Sequence, residues 1–174
     1  MNAPEHVDVL VIGAGLSGIG AACQVTEAFP DKTVAVLEGR EASGGTWDLF
    51  RYPGIRSDSD MFTFGYSWRP WPGDTALADG PLILDYVRTV AAERGVDKLI
   101  RYRHRVTGAE WSSETSTWTV RVEHDGAPLT LTTSFLYGCT GYYDYEQGHQ
   151  PEFPGAGRFE GTLPDLHCRR TMPG

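Results

Sequence analysis

Residues Gly13-Ala14-Gly15-Leu16-Ser17-Gly18 form a G-x-G-x-x-G run, and an acid, Glu38, follows 20 residues after the last glycine. Each glycine has a separate task in holding a dinucleotide: Gly13 allows a tight turn, Gly15 lets the backbone approach a pyrophosphate, and Gly18 lets a helix pack closely on a strand. The helix start presents free N–H groups and positive partial charge to the phosphates. Glu38 is placed to accept hydrogen bonds from a ribose diol and to repel a 2′-phosphate, which favours NAD or FAD over NADP at this position. The plainer reading, a bare glycine turn and a solvated strand end, is outweighed by the strand before the run and the helix after it.

A second cluster lies in "GGTWDLFRYPGIRSDSD", Gly44 to Asp60. Trp47, Phe50 and Tyr52 can wall a planar ring system and exclude water. Pro53 and Gly54 set a sharp turn shortly before Asp58. Taken singly, Trp47 and Tyr52 read as core aromatics and Asp58 as a turn cap; their order along the chain argues for a ring site. His104 reads as part of an exposed strand face, and Cys139 as a small buried hydrophobe. His149 and His167 have no spaced partner, so no metal site is expected.

These residues need elements to position them. "HVDVLVI" (6–12) has the apolar run of a strand buried on both faces, 16–29 has helical spacing closed by Pro30, and "TVAVLE" (33–38) is a second strand. This is a βαβ unit with a right-handed crossover. A long loop, 39–80, follows, and loops of that length in a compact domain are usually functional. "PLILDYVRTVAAERG" (81–95) is a helix with Pro near its start and Gly95 as its stop. Residues 99–110, 117–124 and 129–137 alternate and are rich in Thr, Val and aromatics, which predicts an antiparallel excursion. The expected fold is α/β: a Rossmann-like domain with a central parallel sheet, a glycine-rich βαβ start and an antiparallel β excursion.

Composition narrows the function classes. The 174 residues suffice for one domain, and a net charge of −8 argues against a nucleic-acid partner. Three widely separated cysteines, Cys23, Cys139 and Cys168, suggest neither a disulfide framework nor a zinc site, so the chain reads as cytoplasmic. The N-terminal apolar run lacks a positive flank and is too short to span a membrane.

The sequence from Gly13 through Glu38 to "GGTWDLFRYPGIRSDSDMFTFGYSWRPW" resembles the N-terminal FAD region of class B flavoprotein monooxygenases, the Baeyer–Villiger type above all and within it the ethionamide-activating branch. Flavin amine oxidases continue G-G-R where this chain has Thr46, and disulfide reductases carry a C-x4-C pair that is absent here. The resemblance implies that Gly13, Gly15, Ser17 and Gly18 line the FAD pyrophosphate and Glu38 the adenosine ribose. It implies Gly45, Thr46, Trp47, Asp48 and Leu49 on the ribityl and isoalloxazine side, and a Val106 backbone contact with adenine. Arg56 and Ser57 would neighbour NADPH. Asp58 would be the catalytic residue of these positions, lying near the flavin to orient an arginine and meet the nicotinamide. The implied reaction passes hydride from NADPH to FAD, captures O2 as a C4a-peroxyflavin, and inserts one oxygen into a ketone or oxidises a soft sulfur or nitrogen atom, as in a thioether or thioamide.

The same resemblance implies that a second dinucleotide domain, the catalytic arginine and a return segment of the FAD domain lie outside these residues. The expected organisation is an N-terminal part of an FAD domain over 1–141 and a linker over 142–174, with an atypical tail from about 162. There Phe159-Glu160-Gly161 begins F-x-G-x-x-x-H-x-x-x-W, but Asp165 and Arg169 break it. A truncated or frame-shifted chain that binds FAD weakly, if at all, and does not turn over is the expectation. A non-catalytic FAD- or NAD-binding module and a fragment of another FAD-dependent oxidoreductase remain the alternatives.

Overall fold

The computed structural model describes residues 3–143, 153–158 and 160. The sequence features at His149, His167 and Cys168, Phe159 and Gly161 of the signature, and its altered tail lie outside the described residues, as does most of the expected linker.

Strand β1, Glu5–Ile12, is followed by helix α1, Leu16–Ala28, and strand β2, Val34–Leu37. β1 and β2 run parallel in register from Val9↔Val34 to Ile12↔Leu37. Leu10 and Val11 are both fully buried, on opposite faces of the sheet. Each such burial is worth about 1.5–3 kcal/mol, so a one-residue slip of β1 is strongly disfavoured.

The later strands are β3, Ile100–Arg101; β4, His104–Ser112; β5, Thr117–His124; and β6, Ala127–Gly138. All six form one sheet in the order β3-β2-β1-β6-β5-β4. β6 joins its two halves: it is antiparallel to β5 up to Thr133 and parallel to β1 from Leu131 to Gly138. The sequence expectation of one antiparallel strand over 99–110 is corrected here. Ile100 and Arg101 pair parallel with β2, and a turn with Arg103 at φ 58° reverses the chain before β4 begins. No glycine or proline marks that turn, which is why alternation alone ran the two strands together.

The segment expected as one loop, 39–80, contains two single-turn helices, α2 (Thr46–Leu49) and α3 (Met61–Phe64), before helix α4, Gly80–Glu93. Asp60 caps α3 by accepting from the Thr63 amide at 2.9 Å. α4 buries Ile83, Tyr86, Val87, Val90 and Ala91, an i, i+3/4, i+7/8 stripe. Gly95 ends the segment at φ 70°. The helical face of the sheet carries one core, with Val11, Ile19, Val36, Met61 and Val87; the opposite face carries another, with Leu10, Leu37, Val120 and Leu131.

Beyond Thr133, β6 is paired on one side only, and Phe135 and Tyr137 are 57% and 43% exposed. No element among the described residues covers them.

Candidate functional site

Open parallel sheets bind ligands at the carboxyl ends of their strands where successive connections leave to opposite sides. Here β1 has β2 on one flank and β6 on the other, so its C-terminal end is that point. Gly13, with φ 101°, follows β1, and its N–H donates to the Leu37 carbonyl at 2.7 Å. A β-carbon at Gly13 would overlap the Cys139 carbonyl oxygen, and one at Gly18 would overlap the Gly13 carbonyl oxygen. Turn, helix and the end of β6 are thereby packed backbone to backbone.

Gly15 differs from these two. It is the N-cap of α1 at φ −84°, a conformation open to any residue, and a β-carbon there would meet only the Gly45 backbone, at ordinary distances of 3.5 Å and more. Neither its backbone conformation nor packing among the described residues demands glycine there. Facing it, Gly45 sits at φ 54° with its own would-be β-carbon 3.0 Å from the Gly15 α-carbon. Ser17 is exposed on the first turn of α1.

Glu38 is buried at the end of β2. Its Oε2 accepts from the Ala14 amide and its Oε1 from the Arg40 amide, both at 2.9 Å. The backbone of Glu38 is pinned by the β3–β4 turn: its N–H donates to Arg101 at 3.0 Å, and the His104 N–H donates to its carbonyl at 2.9 Å. Val106 follows on β4, half-buried, with its side chain against the second core. The His104 ring stacks on that of His124, centroids 4.1 Å apart, as a cross-strand pair.

Gly44 and Gly45 carry the chain into α2, and the Gly44 N–H donates to the Ala14 carbonyl at 2.9 Å. Thr46 is half-buried at the start of α2, and Leu49 is buried at its end. Trp47 packs on the helical core, edge-to-face with Phe64 at 5.9 Å. Phe50 meets Tyr52 at 6.4 Å and, across the chain, Tyr143 at 5.7 Å, so the loop aromatics reach the segment just after β6. Arg56 is exposed, and its backbone forms an isolated antiparallel β-bridge with that of Asp79. Ser57 is buried, its hydroxyl donating to the Ser59 carbonyl at 2.8 Å. Asp58 is exposed, and no side-chain hydrogen bond or ion pair engages it among the described residues. The Tyr143 phenol is held above its usual range first by its hydrogen bond with Tyr142, with burial and the charges of Tyr52 and Asp58 adding to it.

Asp48 has partners the sequence did not announce. Buried in α2, its carboxylate pairs with Arg40, with Arg88 of α4 at 2.7 Å and, at 3.4 Å, with Arg51. Arg40 also donates to the Gly45 carbonyl at 3.2 Å and Arg88 to the Ser43 carbonyl at 2.8 Å. Arg88 lies on the exposed stripe of α4, where periodicity marks nothing. No group of three or more His, Cys, Asp or Glu suited to a metal occurs among the described residues, and no helix there is long and apolar enough to cross a membrane.

Residues 11–72 match the family described as an NAD(P)-binding Rossmann-like domain. The chain is 58% identical over 159 residues to the putative FAD-containing monooxygenase MymA of Mycobacterium tuberculosis, covering 90% of this chain and 32% of that protein. It is 52% identical to the FAD-containing monooxygenase EthA of Mycolicibacterium smegmatis, covering 91% of this chain and 32% of that protein. Among solved structures it is similar to OTEMO in complex with FAD and NADP, with a TM-score of 0.72 and 31% identity, over 91% of this chain and 30% of that one. The chain thus spans about a third of the length of its relatives. By sequence and fold it is a homologue of the N-terminal, dinucleotide-binding portion of the FAD-containing monooxygenases.

Proposed function

We propose that this chain forms the FAD-binding portion of an NADPH-dependent flavin monooxygenase acting on ketones, in the Baeyer–Villiger manner, or on soft sulfur or nitrogen centres. The observation that carries the proposal is the meeting of Gly15 and Gly45, in which Gly15 is glycine with no conformational or packing reason among the described residues. A cradle that a β-carbon would fill fits the pyrophosphate of a dinucleotide. When bound, FAD supplies the redox chemistry that activates O2 with electrons from NADPH.

The chain's own residues bind and orient. The glycine turn and Ser17 take the phosphates, and Glu38, its carboxylate fixed by the Ala14 and Arg40 amides, takes the ribose. Val106 offers its backbone to adenine. Gly45, Thr46, Trp47, Asp48 and Leu49 form the ribityl side, with Phe50, Tyr52 and Tyr143 excluding water beside it. Arg56 and Ser57 meet the second cofactor. Asp58, exposed and unengaged among the described residues, is available to orient a catalytic arginine from elsewhere in a longer polypeptide. Residues 1–141 are then the N-terminal part of an FAD domain, with the open edge of β6 beyond Thr133 and exposed Phe135 and Tyr137 as the surface where the domain continues. Two free cysteines, Cys23 and Cys139, among the described residues accord with a reducing, cytoplasmic setting.

The test is turnover by the purified 174-residue chain supplied with FAD, NADPH, O2 and a ketone or a thioether. No substrate-driven NADPH oxidation is expected. Ketone-driven oxidation would overturn the assignment of this chain as the FAD-binding portion alone.

A further inference from the structure

We infer that Arg88, on α4 and outside every motif of the nucleotide site, is a positioning residue that sets the gap between the two glycine turns. The inference rests on reading those turns as an FAD cradle. A hydrogen-bonded ring joins two buried carboxylates. Starting at Asp48, its carboxylate accepts from Arg88, and Arg88 also donates to the Ser43 carbonyl at 2.8 Å. The Ser43 carbonyl and the Gly44 N–H belong to one planar trans peptide and point in opposite directions. Gly44 N–H donates to the Ala14 carbonyl at 2.9 Å, and the Ala14 N–H donates to Glu38 Oε2 at 2.9 Å. Glu38 Oε1 accepts from the Arg40 amide, and the Arg40 guanidinium returns to Asp48 and to the Gly45 carbonyl.

Arg88 therefore holds one edge of the peptide whose other edge grips the first glycine turn. One hydrogen bond from a guanidinium nitrogen holds the carbonyl of that peptide while a second from the same nitrogen anchors the guanidinium on Asp48, and the tilt so fixed sets how near Gly45 stands to Gly15. A guanidinium suits this task because it is planar and presents several donors in a rigid array, whereas an ammonium is a point charge on a flexible stem. Arg88 is 42% exposed, so its replacement leaves the core of α4 intact.

The experiment compares the chain with Arg88→Met and Arg88→Lys, reading backbone amide exchange and FAD binding by amide chemical shifts. In Arg88→Met, the Gly44 amide is expected to exchange about tenfold faster or more while the amides of Val87 and Val90 keep their protection. FAD affinity is expected to fall by about tenfold, the equivalent of one charge-assisted hydrogen bond. Arg88→Lys is expected to recover part of both losses. Unchanged Gly44 exchange, or faster exchange with unchanged FAD affinity, overturns the inference, and so does a global loss of protection in both variants. Should the parent chain bind no FAD, the cradle reading fails by itself, and the Gly44 exchange still decides whether Arg88 holds the turn.

Discussion

A β-carbon placed on Gly45 would lie 3.0 Å from the α-carbon of Gly15, two residues 30 positions apart that bring separate turns face to face at the end of β1. The strand order β3-β2-β1-β6 puts this contact at the point where the sheet opens. The two glycines meet for different reasons, and substitution separates them.

Gly15→Ala needs no unusual backbone angle and meets Gly45 at an ordinary distance. Its thermal midpoint is expected to stay within about 2 °C of the parent, less than the shift for 1 kcal/mol in a domain of this size, while FAD binding by amide shifts is lost. Gly45→Ala, at φ 54° and ψ −126° and with the tight contact, is expected to lose stability by about 1–3 kcal/mol from a positive-φ conformation that side chains rarely adopt. Equal stability losses in the two variants would contradict this division.

Gly18→Ala carries its methyl into the Gly13 carbonyl oxygen, backbone against backbone, with nothing flexible to give way. The expected loss is about 1–3 kcal/mol or more, read as a lower urea midpoint. A midpoint equal to that of the parent would show that α1 does not sit as closely on the turn as described.

Asp48→Ala leaves Arg40 and Arg88 without their shared carboxylate next to buried backbone. Breaking a buried pair in this way costs about 3–5 kcal/mol, close to the whole stability of a marginal domain. Both guanidiniums are partly exposed, which places the expectation at the low end. A loss below about 1 kcal/mol would mean that water replaces the carboxylate freely.

Cys23 lies on the buried face of α1, and burial pushes its thiol up to about 11 from the usual 9.0. The folded state therefore favours the protonated thiol. Its contribution is fully present below pH 9 and is lost as pH rises from 9 toward 11, where the unfolded chain ionises and the folded one does not. The urea midpoint of the parent is expected to fall more steeply over that window than that of Cys23→Ala. A steeper fall in the alanine variant would reverse the sign and contradict the assignment.

The framework of the fold was legible because β1, α1, β2 and α4 each carry one dominant period and clear stops at Pro30 and Gly95. The β3–β4 turn was hidden because Arg103 takes φ 58° without a glycine to announce it, held by its N–H on the Arg40 carbonyl. α2 was hidden because a four-residue helix is too short for any period. The glycine turn and the position of Glu38 beside it could be read from spacing alone, since both are local to one βαβ unit. The arginine ring around Asp48 could not, because Arg40, Asp48 and Arg88 meet only once α4 is packed, 40 residues from the acid it holds.

The most direct test of the FAD cradle is a titration of the 15N-labelled 174-residue chain with FAD and, separately, with NADP+, following backbone amide shifts. Such shifts register weak binding as well as tight. FAD is expected to move the amides of Ala14, Gly15, Ser17, Gly45 and Thr46 together in a saturable way, with NADP+ moving them little because Glu38 repels its 2′-phosphate. No movement with FAD, or equal movement of the same amides with NADP+, would contradict the account.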